Sequence, residues 1–143
     1  MSDVKVLNKM YYFTQVMTVP FAEAVEQVTA ALQKEGFGVL TDIDVQATLK
    51  RKIDVSFQPY RILGACHPGI AYRMLQLDSR AGVLYPCNVV VQALDNGQVE
   101  VAVIDPQAMF QSITHPDAPA LILEARQKLQ AVLQHLSLLA VAA

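Results

Sequence analysis

The 143-residue chain has no tryptophan, two cysteines and few charged side chains. Charged residues make up 17% of the sequence, and its 11 Lys and Arg are scattered among 13 Asp and Glu. Without a basic stripe the chain has no surface suited to a phosphate backbone, so we predict no nucleic-acid ligand. Two cysteines are too few for a disulfide scaffold, and a domain of this length buries enough surface to fold without one.

The sequence also lacks a stretch with the length and apolarity of a secretion signal or a membrane span. Its first fifteen residues carry Asp3, Lys5 and Lys9 and no long apolar run. The apolar C-terminal stretch LQAVLQHLSLLAVAA has fifteen residues, whereas a spanning helix needs about 20. We therefore predict a cytoplasmic protein without a membrane span. In a reducing compartment the cysteines are expected to be free thiols, metal ligands or a transient redox pair.

Hydrophobic residues make up 53% of the chain, enough for a large core and for some surface that a partner covers. Their periodicity predicts alternating strands and helices. The predicted strands span residues 12–19, 37–43, 60–65, 83–94 and 99–103, the fourth of them broken near Pro86. The predicted helices span 20–34, 45–53, 69–79 and 119–139. Residues 107–118 read as an irregular connection. No repeat or linker interrupts this order, so residues 1–143 are predicted to form one domain.

The segment 61–91 contains both cysteines. Cys66, His67 and Pro68 stand where the third strand gives way to a helix, and a helix N-terminus stabilises a thiolate. Cys66 is therefore a candidate nucleophile, with His67 as base and Cys87 as resolving thiol. If the strands around residues 65 and 87 are antiparallel, the two cysteines lie at the same end of the sheet. The alternative is that both thiols are buried as small hydrophobic side chains.

Three further features limit the chemistry near these cysteines. Cys66, His67 and Cys87 supply at most three ligands without the usual zinc spacing, so we predict no metal site and no cofactor. No Gly-rich phosphate loop or catalytic triad is present, so no reaction is predicted. The candidate ligand-binding residues are Asp44, Lys52, Tyr60, Arg61, Cys66, His67, Arg73, Pro86, Cys87 and Asn88.

Several of these candidates also have a structural interpretation. Asp44 is placed to cap the helix that follows it. Lys52 lies in a cationic run that is either a solvated helix face or the rim of an anion site. Arg61 and Arg73 are either surface charges or an anion clamp, and Asn88 follows a proline-containing turn.

Four segments together resemble the family known as domain of unknown function 302 (DUF302). They are VPFAEAVEQVTAALQKEGFGVLTDIDVQATLKRK, YRILGACHPGIAYRML, GVLYPCNVVV and VAVIDPQAM, and the resemblance extends over roughly residues 12–110. In that family the first cysteine is commonly followed by Asn-Pro, whereas His67 and Pro68 follow it here; an imidazole can make similar hydrogen bonds. The resemblance implies an α+β fold of the TATA-binding-protein-like class, with helices on one face of a mostly antiparallel, curved sheet. It implies no established activity.

Two functional hypotheses follow. The first is a homodimeric binding module for a small apolar or thiol-bearing molecule, held between the sheet and the long C-terminal helix, part of which also forms the dimer interface. The second is a thiol-dependent redox protein or enzyme that uses Cys66 with Cys87. Rapid alkylation of Cys66 in the native protein would favour the second hypothesis.

Overall fold

The computed structural model describes residues 11–142, and the side chains of residues 11–139. Residues 1–10 lie outside the described part. They include most of the N-terminal stretch from which we predicted that no secretion signal is present. The strands are β1 (Tyr12–Met17), β2 (Gly38–Asp44), β3 (Tyr60–Cys66), β4 (Cys87–Ala93) and β5 (Val99–Ile104). The helices are α1 (Phe21–Lys34), α2 (Val45–Ile53), α3 (Pro68–Leu77), α4 (Pro106–Met109) and α5 (Ala118–Ala142), with a 3₁₀ helix at Ser79–Leu84.

The five strands form one antiparallel sheet in the order β1-β5-β4-β3-β2. Helices α1 and α5 pack on one face of this sheet, and α5 is the longest helix in the described chain. This arrangement confirms the predicted α+β class with a mostly antiparallel sheet and a long C-terminal helix. None of the helices in the described part is both long and apolar enough to cross a bilayer.

Strand alternation divides the side chains between two faces of the sheet. On β5, Val99, Val101 and Val103 are fully buried beneath the helices, while Glu100 and Ala102 between them are only half-buried. The helices contribute Ala24, Val28, Ala31, Leu32, Leu129, Val132, Leu133 and Leu136 to this core.

The opposite side of the sheet is called the open face here. Its side chains follow from the strand register and are Tyr12, Thr14, Val16, Thr41, Ile43, Tyr60, Ile62, Gly64, Cys66, Pro86, Asn88, Val90, Gln92, Glu100, Ala102 and Ile104. Within the described residues, neither buried core cluster includes any of them. The open face therefore presents a half-apolar surface that the main helix layer does not cover.

The observed element boundaries explain where the sequence prediction failed. The strand predicted over 83–94 with a break near Pro86 forms only after that break, as β4; before it the chain forms the 3₁₀ helix and a cis Tyr85–Pro86 peptide. The predicted irregular connection begins with α4, because the Asp105 carboxylate accepts a hydrogen bond from the Gln107 amide at 2.9 Å and caps that short helix. Asp44 caps α2 as predicted, accepting from the Ala47 amide at 2.9 Å.

Candidate functional site

Cys87 lies on the helix-covered face at the start of β4. It pairs with Ala65 across an antiparallel β3–β4 ladder and is only 3% exposed. Its Sγ atom lies 3.8 Å from Met109 Sδ. Burial, with a smaller contribution from Cys66, raises the pKa of Cys87 to about 12. This thiol is therefore protonated and sealed at neutral pH.

Cys66 is the last residue of β3 and lies one position beyond the residue that faces Cys87. The antiparallel pairing confirms the condition for placing both cysteines at the same end of the sheet. Because successive side chains alternate, however, Cys66 points to the open face and Cys87 to the helix layer. Both thiols are free, and burial raises the pKa of the half-buried Cys66 as well.

His67 caps helix α3 rather than facing a thiol. Its Nδ1 accepts a hydrogen bond from the Ile70 amide at 3.2 Å, and its ring stands edge-on to Phe37 with centroids 5.5 Å apart. The ring also rests on Gly36, where φ is +87° and an added Cβ would lie 2.9 Å from the imidazole. With Nδ1 occupied by the backbone, the neutral ring carries its proton on Nε2.

Tyr85 lies between the two cysteines in sequence and within electrostatic range of both. Burial is the main cause that raises the pKa of its phenol, and Cys87 and Cys66 add to it. Its ring packs against Phe110 with centroids 5.3 Å apart. In the described chain no group of three or more His, Cys, Asp or Glu side chains is arranged to hold a metal ion.

The two candidate arginines already bind carboxylates. Arg61 makes a two-point ion pair with Asp42, which lowers the pKa of that carboxyl through hydrogen bonding. Arg73 on α3 donates to both carboxylate oxygens of Glu124 on α5, at 2.9 and 3.0 Å. Each guanidinium group is thus already paired with a carboxylate, which makes it less available to a bound anion. Lys52 is exposed on α2.

A groove of about 420 Å³ runs across the open face. It is lined by Tyr11, Tyr12, Tyr60, Asn88, Val90, Gln92, Glu100, Ala102, Val103 and Ile104. Of the predicted site residues, the structure places Tyr60 and Asn88 in this groove. Pro86 and Cys66 lie beyond it on the same face, where the Pro86 ring and the Thr41 hydroxyl fill the space above Gly64.

The groove combines an apolar floor with polar groups at its sides. Val90, Ala102 and Ile104 project from the central strands β4 and β5. At one end Tyr11 and Tyr12 stand edge to face with ring centroids 5.0 Å apart. At the other end Gln92 donates a hydrogen bond of 3.2 Å to Glu100. Such a surface suits an organic molecule with an apolar body and polar ends.

The layer between the sheet and the C-terminal helix, where the ligand was predicted, is packed in the described residues. Side chains of α1 and α5 fill that layer, and Leu129, Leu133 and Leu136 are completely buried against the sheet. The prediction was wrong because the inward stripe of α5 is continuous and interdigitates with the strand valines, as a packed core requires. The groove lies instead on the other side of the sheet.

Sequence reasoning missed Tyr11, Tyr12, Gln92 and Glu100. The alternation that buries Val89 and Val91 on β4 places Asn88 and Gln92 together on the opposite face. The register with β5 then adds Glu100 beside Gln92. The period-two pattern was available in the sequence, but the pairing of the strands that joins these residues was not.

Comparisons with known proteins place the chain in a family. The model of the family described as "Domain of unknown function DUF302" matches residues 13–136. A crystal structure of an uncharacterized conserved DUF302 protein from Bacillus stearothermophilus is similar, with a TM-score of 0.81 and 26% sequence identity. The similarity covers 88% of this chain and 98% of that chain. A comparison with curated proteins gives no match. The chain therefore belongs to the DUF302 family, as its motifs indicated.

Proposed function

We propose that this protein is a binding module for a small organic molecule that lies in the groove on the open face. The observation that supports it is the groove itself. Its volume of about 420 Å³ falls in the range of roughly 300–1,000 Å³ that is usual for small-molecule sites. Its floor is apolar, and hydrogen-bonding groups of Tyr12, Tyr60 and Asn88 stand at its sides.

A ligand with an apolar body suits this groove better than a ligand that bears a thiol. The floor residues Val90, Ala102 and Ile104 offer hydrocarbon surface but no reactive group. The nearest thiol on the same face is that of Cys66, which lies outside the groove lining. A ligand thiol would meet a partner there whose raised pKa keeps it protonated at neutral pH.

The thiol-enzyme hypothesis finds less support in this geometry. A nucleophilic cysteine requires a lowered pKa or an adjacent base. Burial raises the pKa of both Cys66 and Cys87, and the His67 ring atom nearest the backbone is engaged as a helix cap. Strand alternation also directs the two sulfur atoms to opposite faces of the sheet.

We propose further that the protein forms a homodimer through the arm formed by residues 38–58. No side chain of α2 is buried, and large apolar side chains are exposed along the arm: Leu40, Ile43, Ile53, Val55 and Phe57. The outer edge of β2 is also unpaired in the sheet order, so a second copy could add to it about a two-fold axis. The exposed leucines of α5 lie near opposite ends of the helix, Leu123 near its start and Leu138 and Leu139 near its end, and support the predicted helix-based interface less well.

Binding is tested by a thermal-shift screen of small organic molecules against three proteins. In the wild type, a groove ligand at about 100 times its Kd should stabilise the fold by about 2.7 kcal/mol. Ala102→Trp fills the groove from a central strand and should abolish that shift. Ala30→Trp makes the same change at an exposed position of α1 and should preserve it. Hits that shift both variants equally would refute the groove as the site.

The dimer is tested by light scattering on purified full-length protein. Wild type is expected at twice the monomer mass of 15.7 kDa. Leu40→Glu should give a monomer, because it places a charge in the proposed apolar interface. Val83→Glu changes an 85% exposed residue outside the arm and should remain dimeric. A monomeric wild type at high concentration would contradict the proposal.

A further inference from the structure

We infer that the groove selects an organic cation, with an ammonium or guanidinium head beside Glu100 and an apolar body on the groove floor. This inference depends on the proposed function, because it specifies the ligand class of that same groove. It starts from the charge of the lining. Of the ten residues that line the groove, Glu100 is the one with a formal charge, and none is Lys, Arg or His. Among the residues that the structure describes, an anionic ligand would therefore meet no cation in the groove.

The Glu100 carboxylate is held in place by a short chain of amides. Gln58 donates to the side-chain oxygen of Gln92 at 3.2 Å, and the Gln92 amide donates to Glu100 Oε1 at 3.2 Å. These contacts orient the Gln92 amide nitrogen toward Glu100. Within residues 11–139 no group donates to the second oxygen, Oε2. One strong acceptor is thus oriented but still available to a ligand.

The surroundings of Glu100 make it a better cation partner than a carboxylate on a convex surface. Glu100 is half-buried on the central strand β5, between Val16 on β1 and Gln92 on β4 in the strand register. Low-dielectric neighbours strengthen the attraction between a carboxylate and a cation. Three arginines of the described chain each pair with a carboxylate other than Glu100. They are Arg61, Arg73 and Arg126. They do not neutralise Glu100.

Aromatic rings supply the second element of cation recognition. Tyr60 lies in the same register row as Gln92 and Glu100, and its ring contacts Phe57 with centroids 5.7 Å apart. The face of a tyrosine ring attracts ammonium and guanidinium groups. Val90 and Ala102 lie one register row further along the strands and offer apolar surface for the rest of the molecule. The groove therefore has a carboxylate and an aromatic ring in one row, on either side of Gln92, and hydrocarbon in the next row, which suits an amphipathic cation.

Calorimetric titration of the full-length protein with three matched probes tests this inference. The probes are 2-phenylethylamine, 2-phenylethanol and 3-phenylpropionate, which share a ring and chain but differ in charge. The amine should bind at least about fivefold more tightly than the alcohol, the sum of a weak cation–π contact and a partly exposed ion pair. The propionate should bind most weakly. Added salt should lower the affinity for the amine and leave the affinity for the alcohol unchanged.

Two variants assign the preference to named groups. Glu100→Gln should reduce amine affinity to that of the alcohol, whereas Glu26→Gln removes the same charge from an exposed position of α1 and should retain the preference. Tyr60→Leu should lower the affinity for the amine more than the affinity for the alcohol. Thermal unfolding of each variant verifies that it is folded.

The outcomes separate the inference from the proposed function. Equal affinity for amine and alcohol, with both lost in Ala102→Trp, overturns the cation preference and retains the groove as a binding site. A preference that survives Glu100→Gln also overturns the inference. If none of the three probes binds, the inference is contradicted, and the thermal-shift screen with Ala102→Trp and Ala30→Trp decides the proposed function separately.

Discussion

Individual side chains in this protein are determined mainly by the space and polarity around them. Asp44, His67 and Asp105 each precede a helix, and each accepts a hydrogen bond from a backbone amide in its first turn. Two of the three had been considered as ligand-binding residues from sequence. Helix capping accounts for these two residues without a ligand. The proposed binding site is formed instead by residues that face the groove.

Gly64 is required by close approach on the open face. A Cβ at this position would overlap the Thr41 hydroxyl and lie 2.7 Å from the Pro86 ring. Gly64→Ala should therefore destabilise the protein by about 1–3 kcal/mol, because the neighbouring strands must separate. The free energy of unfolding in urea measures the effect.

Gly38 supplies the matched control for that substitution. It lies on the adjacent strand, pairs with Cys66, and has no atom within 4 Å of an added Cβ. Gly38→Ala should change the free energy of unfolding by no more than about 0.5 kcal/mol. A loss at position 38 as large as that at position 64 would show that overlap with Thr41 and Pro86 does not account for the effect at position 64.

The buried thiol of Cys87 makes stability depend on pH. Its pKa is raised to about 12 in the folded protein, whereas an unfolded thiol has a pKa of about 8.5. The contribution of the folded thiol is therefore complete below about pH 8.5 and is lost as the pH rises toward 12. Between about pH 9 and 10 the wild type should lose up to about 1.4 kcal/mol per pH unit more than Cys87→Ala.

Urea unfolding at several pH values measures this difference. Cys66→Ala is the comparison variant, because its thiol is half-buried and its pKa is raised to a smaller extent by burial alone. Cys66→Ala should change the pH dependence of the unfolding free energy less than Cys87→Ala does. Identical slopes for the wild type and Cys87→Ala would mean that Cys87 ionises normally in the folded state.

At the scale of helices and strands, α5 is attached to the rest of the fold by its apolar stripe and by two ion pairs of different burial. Arg126 donates to Asp105 at 3.1 Å and lies over the Phe13 ring at 5.3 Å from its centroid. Asp105 is 5% exposed and is the one buried charged residue in the described chain. The Arg73–Glu124 pair is much more exposed. The two pairs should therefore differ in energetic weight.

Removing each arginine tests this difference. Arg126→Ala leaves the Asp105 carboxylate buried without its partner and should cost about 3–5 kcal/mol of unfolding free energy. Arg73→Ala should cost about 0.2–1 kcal/mol, as solvent screens that pair. Both values are read from urea unfolding at neutral pH. Similar losses for the two variants would show that Asp105 is solvated more than its burial indicates.

Periodicity in the sequence predicted most of these elements because one face of each is buried. In α1 the apolar residues recur at helical spacing, and four of them form its buried face: Ala24, Val28, Ala31 and Leu32. Residues 83–86 were predicted as the start of a strand, whereas they form the end of the 3₁₀ helix and the link to β4, because a short 3₁₀ helix has no hydrophobic period. Propensity alone does not distinguish such a connection from an extended chain.

At the scale of the whole molecule, the sequence predicted the fold class but placed the expected ligand in a layer that side chains fill. Motif resemblance and strand alternation together indicated an antiparallel sheet with helices on one face. They did not show which face retains accessible space, because that depends on how completely α1 and α5 fill the other one. Both cysteines, which are the basis of the thiol hypothesis, lie at one end of the sheet. The groove instead spans the middle of four strands, from Tyr12 on β1 to Tyr60 on β3.

The most direct test of the groove is an NMR titration of the ¹⁵N-labelled full-length protein with 2-phenylethylamine. The side-chain amides of Asn88 and Gln92 project onto the open face, whereas those of Gln107 and Gln127 are exposed outside the groove. We predict saturable shifts of the Asn88 and Gln92 side-chain resonances, with those of Gln107 and Gln127 unchanged. Shifts centred on the helix layer, or no saturable shift at Asn88 and Gln92, would contradict the assignment of the open face as the binding site.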